Sequence, residues 1–431
     1  MNYDYILFDL DGTITDSFHG LKYSISYMMD KLGYEMPCDD EFRKFIGPPI
    51  LESFEHVLHI RKEDYDIAAH TYRTHFGDEG YKHFRVYPGI RNVLRSLNKA
   101  GKKVAVATSK PIEPTMKLLR FFGIADYFDT INAPENDEII NSKEYAISKA
   151  LKFPHKKALM IGDRHFDANG AKKFGLDFMG ASYGFGSERE LVEAGAKYIV
   201  HSPHEILNVL NVDCEKGKFI SFEGMDGSGK STQLKILIEK LEQYGFDFIN
   251  TREPGGTEIS EEIRGILLSC DNNEMNDRTE ALLFAASRAQ HVEEKIKPNL
   301  NIGKHVICDR FVDSSIAYQG GGKKLGVDKV TAINEFAIDG LYPYKTIFFD
   351  MPVEKAIKRR EATGNLDRLE LEKIDFFKRT SEVYNDIKKK DSERYVCINA
   401  DDSIDNIATN LFKCVAGILE PEIDWENCKY E

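Results

Sequence analysis

The sequence predicts an α/β protein of two domains in series, each organised around a parallel sheet. Three observations lead there. First, an apolar strand, a glycine-bearing polar turn and a helix start follow one another twice: Tyr5-Ile6-Leu7-Phe8 runs into DLDGT, and Phe219-Ile220-Ser221-Phe222 runs into EGMDGSGKST. Strands that end in a functional loop belong to open α/β sheets, whose ligands sit at the carboxyl ends of strands. Second, short apolar runs recur after each opening strand, separated by stretches of helical period. Third, 431 residues exceed what one hydrophobic core usually serves.

In the first half, strands are expected at Lys103-Val104-Ala105-Val106-Ala107 and Ala158-Leu159-Met160-Ile161. Residues 18 to 85 lack a comparable run and place Leu21, Ile25, Met28, Met29 and Leu32 at helical spacing, so a helical insertion is expected over about 16–85. The polar stretch Asn211-Val212-Asp213-Cys214-Glu215-Lys216-Gly217-Lys218 reads as a connection. The boundaries are therefore 1–211 for the first domain, 212–217 for the linker and 218–431 for the second. In the second half, strands are expected at His305-Val306-Ile307-Cys308 and Thr346-Ile347-Phe348-Phe349.

Composition narrows the function classes. Apolar residues make up 42% and charged residues 30%, enough for a buried core in both parts. The net charge is −13, with 27 basic and 30 acidic residues up to position 212 and 31 and 41 beyond it. Neither part carries the basic excess of a duplex-binding or membrane-surface protein. Seven cysteines (38, 214, 270, 308, 397, 414 and 428) include no C-x-x-C pair. That argues against a disulfide framework or zinc knuckle and points to a reducing cytoplasm. The opening MNYDYILFDLDG lacks the pattern of a signal peptide, and no run approaches the roughly 20 apolar residues of a membrane helix.

Gly224-x4-Gly229-Lys230-Ser231 is a complete P-loop pattern, with a strand before it and a helix after it. Its glycines, with Gly227, let backbone N–H groups turn inward around phosphate oxygens at a helix amino terminus. Lys230 is placed to reach the β/γ-phosphates of ATP and the Ser231 hydroxyl to bind Mg²⁺, with Ser228 and Thr232 completing the cradle. Further motifs follow in order: Thr251-Arg252-Glu253-Pro254-Gly255-Gly256-Thr257, Phe284 with Arg288, Asp309-Arg310-Phe311, and Ser315-x-x-Tyr318-Gln319-Gly320-Gly321-Gly322. Phe284 alone would read as core, but it stands four residues before Arg288, one helical turn away on the same face. Several arginines around a P-loop suit phosphoryl transfer, because a guanidinium grips phosphate in a bidentate fork.

This ordered set resembles bacterial thymidylate kinase across residues 218 to 415. The resemblance implies that Arg252 and Arg310 hold the phosphate of thymidylate, with Arg310 also acting in catalysis. Phe284 then stacks on the base, Arg288 bonds its carbonyl, and Tyr318 lies where a ribose 2′-hydroxyl would project. Pro254, Ser315 and Gln319 complete the acceptor site, and Asp226 stands near both metal and acceptor. The family also implies a homodimer through this domain. One departure lies in the lid segment Lys358-Arg359-Arg360-Glu361-Ala362-Thr363-Gly364-Asn365-Leu366-Asp367-Arg368, where Thr363 occupies the usual arginine position. Arg359, Arg360 or Arg368 then supplies the lid charge.

In the first half, Asp9-Leu10-Asp11-Gly12-Thr13 follows the opening strand directly. Two carboxylates two residues apart on an extended turn can divide labour, one attacking phosphorus while the other carries the leaving group's proton. Thr108 ends the VAVATSK run, Lys143 can neutralise charge, and Gly162-Asp163-x3-Asp167 ends another strand with two more acids. Clustered carboxylates repel, so Mg²⁺ and a lysine are expected to hold them together.

This set resembles the haloacid dehalogenase superfamily of phosphatases over residues 1 to about 210, with FIGPPI, VYPGI, VATSKP and IGDRHFDANGAKKFGL closest to its 5′-nucleotidase and phosphoglycolate phosphatase branch. The resemblance implies a Rossmann-like core with a helical cap, Asp9 as nucleophile, Asp11 as acid/base, and Thr108 and Lys143 as phosphate partners. Asp9, Asp11 and Asp163 are then the metal-binding acids, with Asp167 in support. The expected whole is a thymidylate kinase fused to a Mg²⁺-dependent phosphatase. The alternatives are a binding or regulatory first half without turnover, or a phosphatase for phosphoglycolate or another small ester. Its partners are nucleotides and a phosphate ester rather than nucleic acid or membrane.

Overall fold

The computed structural model describes residues 3–46, 50–135, 142–361, 374–423 and 425. The chain forms two compact units that divide between Glu215 and Lys216.

The first unit contains strands β1 (Tyr5–Phe8), β2 (Thr15–Asp16), β3 (Arg85–Val86), β4 (Lys103–Ala107), β5 (Thr130–Asn132), β6 (Ala158–Gly162), β7 (Asp177–Ala181) and β8 (Tyr198–Val200). Six of them form a sheet in the order β5-β4-β1-β6-β7-β8, with every pairing parallel. A parallel sheet buries both faces, and β1 does so by alternation. Ile6 and Phe8 join one apolar cluster, while Tyr5 and Leu7 join the other. The first cluster continues into the insertion through Phe42, Phe54 and Phe76. There the helix Phe18–Leu32 buries Leu21, Ile25, Met28 and Met29, the stripe its spacing predicts. The insertion starts and ends at an antiparallel ribbon in which β2 pairs with β3, Thr15 against Val86 and Asp16 against Arg85.

The second unit contains β9 (Phe219–Gly224), β10 (Phe248–Arg252), β11 (His305–Asp309), β12 (Lys345–Asp350) and β13 (Tyr395–Asn399). They form an all-parallel sheet in the order β10-β11-β9-β12-β13. The register sets Arg252 beside Asp309, and Asp309 beside Phe222, so three loops that carry motifs leave the sheet at one edge. Both units are thus α/β with parallel sheets. Among the described residues, no helix is long and apolar enough to cross a membrane.

Candidate active sites

In the first unit, adjacent central strands deliver the acids. Asp9 leaves the end of β1, and its N–H donates to the Ile161 carbonyl of β6 at 2.9 Å. The following turn closes when Ile14 and Thr15 donate to the Leu10 carbonyl. Gly12, at φ +88°, lies so near Asp163 that a Cβ would stand 2.1 Å from its carboxylate. Only glycine fits a left-handed turn pressed against another motif.

Asp9, Asp163 and Asp167 each bring a carboxylate oxygen within 4.8 Å of the others. Lys143, at the start of the helix Ser142–Ala150, bridges Asp9 at 2.5 Å and Asp167 at 2.7 Å and donates to the Ala107 carbonyl at 3.1 Å. Asp163 Oδ2 accepts the Phe185 N–H at 2.8 Å, whereas its buried Oδ1 has no hydrogen-bond partner. Burial pushes the Asp9 carboxyl up to about 7 against the opposing pull of Lys143. Burial, then the charges of Asp167 and Asp9, raise Asp163. Lys143 stays above its usual range because those two acids outweigh the cost of burying its charge. Thr108 is buried one residue beyond β4, its hydroxyl accepting the Lys110 N–H at 3.2 Å.

Asp11 stands outside the trio of acids. Its Oδ2 pairs with Lys110 at 3.0 Å, and Asp167 takes the third place beside Asp9 and Asp163. Lys110, which sequence reasoning passed over, lies 5.3 Å from the Phe76 ring of the insertion. Its signal was its position two residues past Thr108. These groups line a cavity of about 400 Å³. Its floor is polar, and its far wall carries Leu21, Phe45, Ile46, Ile50, Tyr72 and Phe76 from the insertion. Arg164 Nη1 donates to the Ile46 carbonyl of that wall at 2.6 Å while its Nε holds Glu190 at 3.0 Å.

In the second unit, the P-loop turns from β9 into the helix Lys230–Gln243 with Gly224, Gly227 and Gly229 all at positive φ. A Cβ on Gly227 would meet the Ala356 carbonyl at 2.1 Å. The Ser228 hydroxyl is buried without a partner, while Ser231 and Thr232 are exposed. Lys230 pairs with Asp309, and burial followed by the Arg310 charge lowers its pKa. Arg310 Nη2 holds Asp226 Oδ1 at 2.5 Å, and the Tyr318 hydroxyl donates to Asp226 Oδ2 at 2.9 Å. Burial opposes the Asp226 charge, but Arg310 and Tyr318 keep its carboxyl low.

Arg252, at the end of β10, is exposed and pairs with Glu261 at 3.0 Å. Phe284 and Arg288 sit on the helix Asp277–His291. Arg288 is fully buried and donates to Glu253 Oε2 at 2.7 Å, Ser315 Oγ at 3.0 Å, Asn334 Oδ1 and the Phe311 carbonyl at 3.2 Å. A guanidinium has five N–H groups, so these bonds leave one on Nη2. Glu253 also receives His291 Nδ1 at 3.0 Å, and Gln319 donates to Glu280 at 2.9 Å.

One cavity of about 220 Å³ gathers Asp226, Lys230, Ser231, Arg252, Pro254, Phe284, Arg288, Arg310, Ser315, Tyr318 and Gln319. Asp309 and Glu253, which sequence reasoning left without roles, line it as well. Arg359 reaches the Ala400 carbonyl at 3.3 Å, and Arg360 lies 4.3 Å from the Phe377 ring centre. Neither side chain lines this cavity, and Arg368 and Thr363 lie outside the described residues.

Comparison with known proteins agrees with this division. Residues 222–411 match the family model for thymidylate kinase, and residues 6–181 match that for haloacid dehalogenase-like hydrolase. The thymidylate kinase of Pediococcus pentosaceus is 48% identical over 206 residues, covering 47% of this chain and 99% of that protein. That of Clostridium novyi is 45% identical over 207 residues, covering 48% and 99%. Among solved structures, a predicted phosphatase from Clostridium acetobutylicum is 38% identical, covering 49% of this chain and 99% of that one with a TM-score of 0.46. A haloacid dehalogenase-like family hydrolase from Streptococcus pneumoniae is 28% identical, covering 48% and 98% with a TM-score of 0.44. The chain belongs to the thymidylate kinase family through its second half, and that kinase domain is fused behind a haloacid dehalogenase-like phosphatase domain.

Proposed function

We propose that the second half transfers the γ-phosphoryl of ATP to thymidylate, and that the first half is a Mg²⁺-dependent 5′-nucleotidase acting through an aspartyl-phosphate. The kinase reading rests on one observation: the base-stacking, phosphate-gripping and P-loop residues meet in one cavity. Lys230 and Arg310 neutralise the phosphoryl group as its bond to the β-phosphate oxygen breaks and a bond to the acceptor phosphate forms. Arg252 and Arg310 hold that acceptor, Phe284 stacks on the base, and the remaining Nη2–H of Arg288 meets its carbonyl. Tyr318 fills the place of a 2′-hydroxyl. The buried, unpartnered Ser228 hydroxyl suits a phosphate oxygen.

The phosphatase reading rests on the orphaned Asp163 Oδ1 inside a trio of oxygen donors, which suits a hard divalent cation. Asp9, Asp163 and Asp167 would hold Mg²⁺ there, and Ser231 would hold one beside the nucleotide phosphates. Bound, the ion supplies neutralising charge to carboxylates and phosphate oxygens. A carboxylate oxygen of Asp9 attacks phosphorus, the ester P–O bond breaks, and Asp11 hands its proton to the leaving oxygen. Water then attacks the aspartyl-phosphate, Asp11 takes back a proton, and phosphate leaves. Lys143 and Thr108 steady the transferring group. We assign Asp11 to the proton rather than the metal because Lys110 holds its carboxylate apart from the trio. A cavity of about 400 Å³ with six apolar or aromatic cap side chains suits a nucleoside better than glycolate.

The deciding experiment is a phosphate-ester screen on Lys230→Ala protein, covering nucleoside monophosphates, phosphoglycolate and sugar phosphates. Release of phosphate from a nucleoside monophosphate supports the nucleotidase. Preference for phosphoglycolate overturns that substrate, and silence on every ester makes the first half a binding module. For the kinase, thymidylate should exceed its ribonucleotide analogue and all purine monophosphates in kcat/KM, and a better purine acceptor would refute the assignment. We further propose a cytoplasmic homodimer formed through the kinase half. Exposed Ile259, Ile266 and Leu282 on two adjacent helices support it, and light scattering checks it.

A further inference from the structure

One buried acid of the kinase half takes no part in the chemistry above. Glu223, on central strand β9, has no exposed surface and does not line the cavity. A carboxylate enclosed beside Phe222 is costly unless both oxygens are bonded. Its partners all come from elsewhere in the fold. Oε1 accepts the Phe311 N–H at 2.8 Å, and Oε2 accepts the Ser314 hydroxyl at 2.5 Å and the Tyr384 hydroxyl at 2.8 Å.

Those bonds converge on Arg310, whose backbone is left-handed at φ +68°. That conformation is uncommon for a residue with a side chain and persists only where its surroundings hold it. The Arg310 N–H donates to the Phe222 carbonyl at 3.0 Å, and the next N–H donates to Glu223. Two successive amides of the bend thus end on two successive residues of β9. The side chain is held from the same place. Ser314 gives its proton to Glu223, so its oxygen faces Arg310 Nη1 at 3.0 Å.

We propose that Glu223 is a positioning residue for phosphoryl transfer, locking the bend at Arg310 so that its guanidinium meets the acceptor phosphate. This rests on the reading of Arg310 as the acceptor-phosphate grip. A glutamine at 223 keeps an acceptor for Phe311 N–H and turns the hydroxyl bonds around, whereas alanine deletes all three.

The test is steady-state kinetics on the full chain for Glu223→Ala, Glu223→Gln, Ser314→Ala and Arg310→Ala, with thermal melting of each. Glu223→Ala should raise KM for thymidylate at least about tenfold while KM for ATP stays within about twofold. Ser314→Ala should move KM in the same direction by about threefold. Glu223→Gln should recover most of the loss. If Glu223→Ala does not fold, Ser314→Ala decides, and an unchanged thymidylate KM in that variant overturns the proposal. Equal effects on both substrates overturn it as well. An Arg310→Ala protein with normal thymidylate KM would instead refute the reading of Arg310 itself.

Discussion

The two cavities solve one problem from opposite sides. At the centre of the first, Asp9, Asp11, Asp163 and Asp167 face two lysines, Lys143 and Lys110, while Glu113, Glu135, Arg73, Lys117 and Arg164 line the rest of that cavity. In the second, Asp226, Glu253 and Asp309 face five cations, Lys230, Arg252, Arg264, Arg288 and Arg310. One floor holds surplus negative charge and an unpartnered carboxylate oxygen. The other holds surplus positive charge, much of it parked on local acids, as Lys230 on Asp309 and Arg310 on Asp226. Each site is therefore built as the complement of what it must receive, a cation in the first and an anion in the second. Phosphate chemistry does not prescribe the sign of the protein that performs it.

The largest expected effects test whether the two sites are independent. Asp9→Asn removes the nucleophile and should lower phosphatase turnover on the order of 10⁴-fold or more, with thymidylate phosphorylation unchanged. Lys230→Ala should lower ADP formation from ATP and thymidylate by about 10²- to 10³-fold and leave phosphate-ester hydrolysis intact. Assaying both reactions on each variant checks this, and a loss of both in either variant breaks the comparison. Asp11→Asn should slow formation and hydrolysis of the aspartyl-phosphate by about a hundredfold, read by rapid-quench trapping of the intermediate.

Stability sharpens the contrast of sign. Mg²⁺ at about a hundred times its Kd should stabilise the first unit by about 2.7 kcal/mol, whereas the second should respond to nucleotide. Asp163→Asn keeps an acceptor for the Phe185 N–H and removes one buried charge from the cluster. Its metal-free melting transition should rise, by about 2–4 °C for each kcal/mol of repulsion relieved, and its response to Mg²⁺ should vanish. Calorimetry with and without chelator separates these outcomes, and a variant that still responds to Mg²⁺ would place the ion elsewhere. The smallest effect concerns the exposed Arg252–Glu261 pair. Glu261→Gln frees the arginine but should change the thymidylate KM by less than about fivefold, because exposed pairs contribute at most about 1 kcal/mol.

Much of both sites was legible because their motifs are local. DLDGT carries a turn and reactive groups within a few residues, although β2 rather than a helix follows it. GSGKS carries turn, helix start and reactive groups together, and β1, β4, β6, β9, β11 and β12 stand where apolar runs predict them. The strands not read in advance are β2 and β3, of two residues each, and β5, β7, β8, β10 and β13. β5 and β8 are three residues long and β10 reads FINTR, too short or too polar to make an apolar run, whereas β7 (DFMGA) and β13 (YVCIN) carry short apolar stretches that sequence reasoning passed over. Non-local partners were beyond reach. Nothing in the spacing pairs Arg288 with Glu253, 35 residues earlier, or Glu223 with Tyr384, 161 residues later. Those bonds exist because the sheet order brings distant loops together. The separation of Asp11 from the acid trio was hidden likewise, since it depends on where Lys110 points once β4 lies beside β1.

The ribbon of β2 and β3 has a consequence for how such a protein changes over time. Thr15 and Val86 pair across it, so the chain departs from the catalytic core and returns to it at points only about 5 Å apart. Everything between them is a cassette with a single two-stranded mouth. It can lengthen, shrink or be exchanged while Asp9, Asp163 and Lys143 keep their positions on the sheet. The six apolar and aromatic cap side chains that wall the cavity, and Arg73 with them, all belong to that cassette. The choice of leaving group can therefore drift independently of the phosphorus chemistry, and a new specificity can arrive as one inserted block.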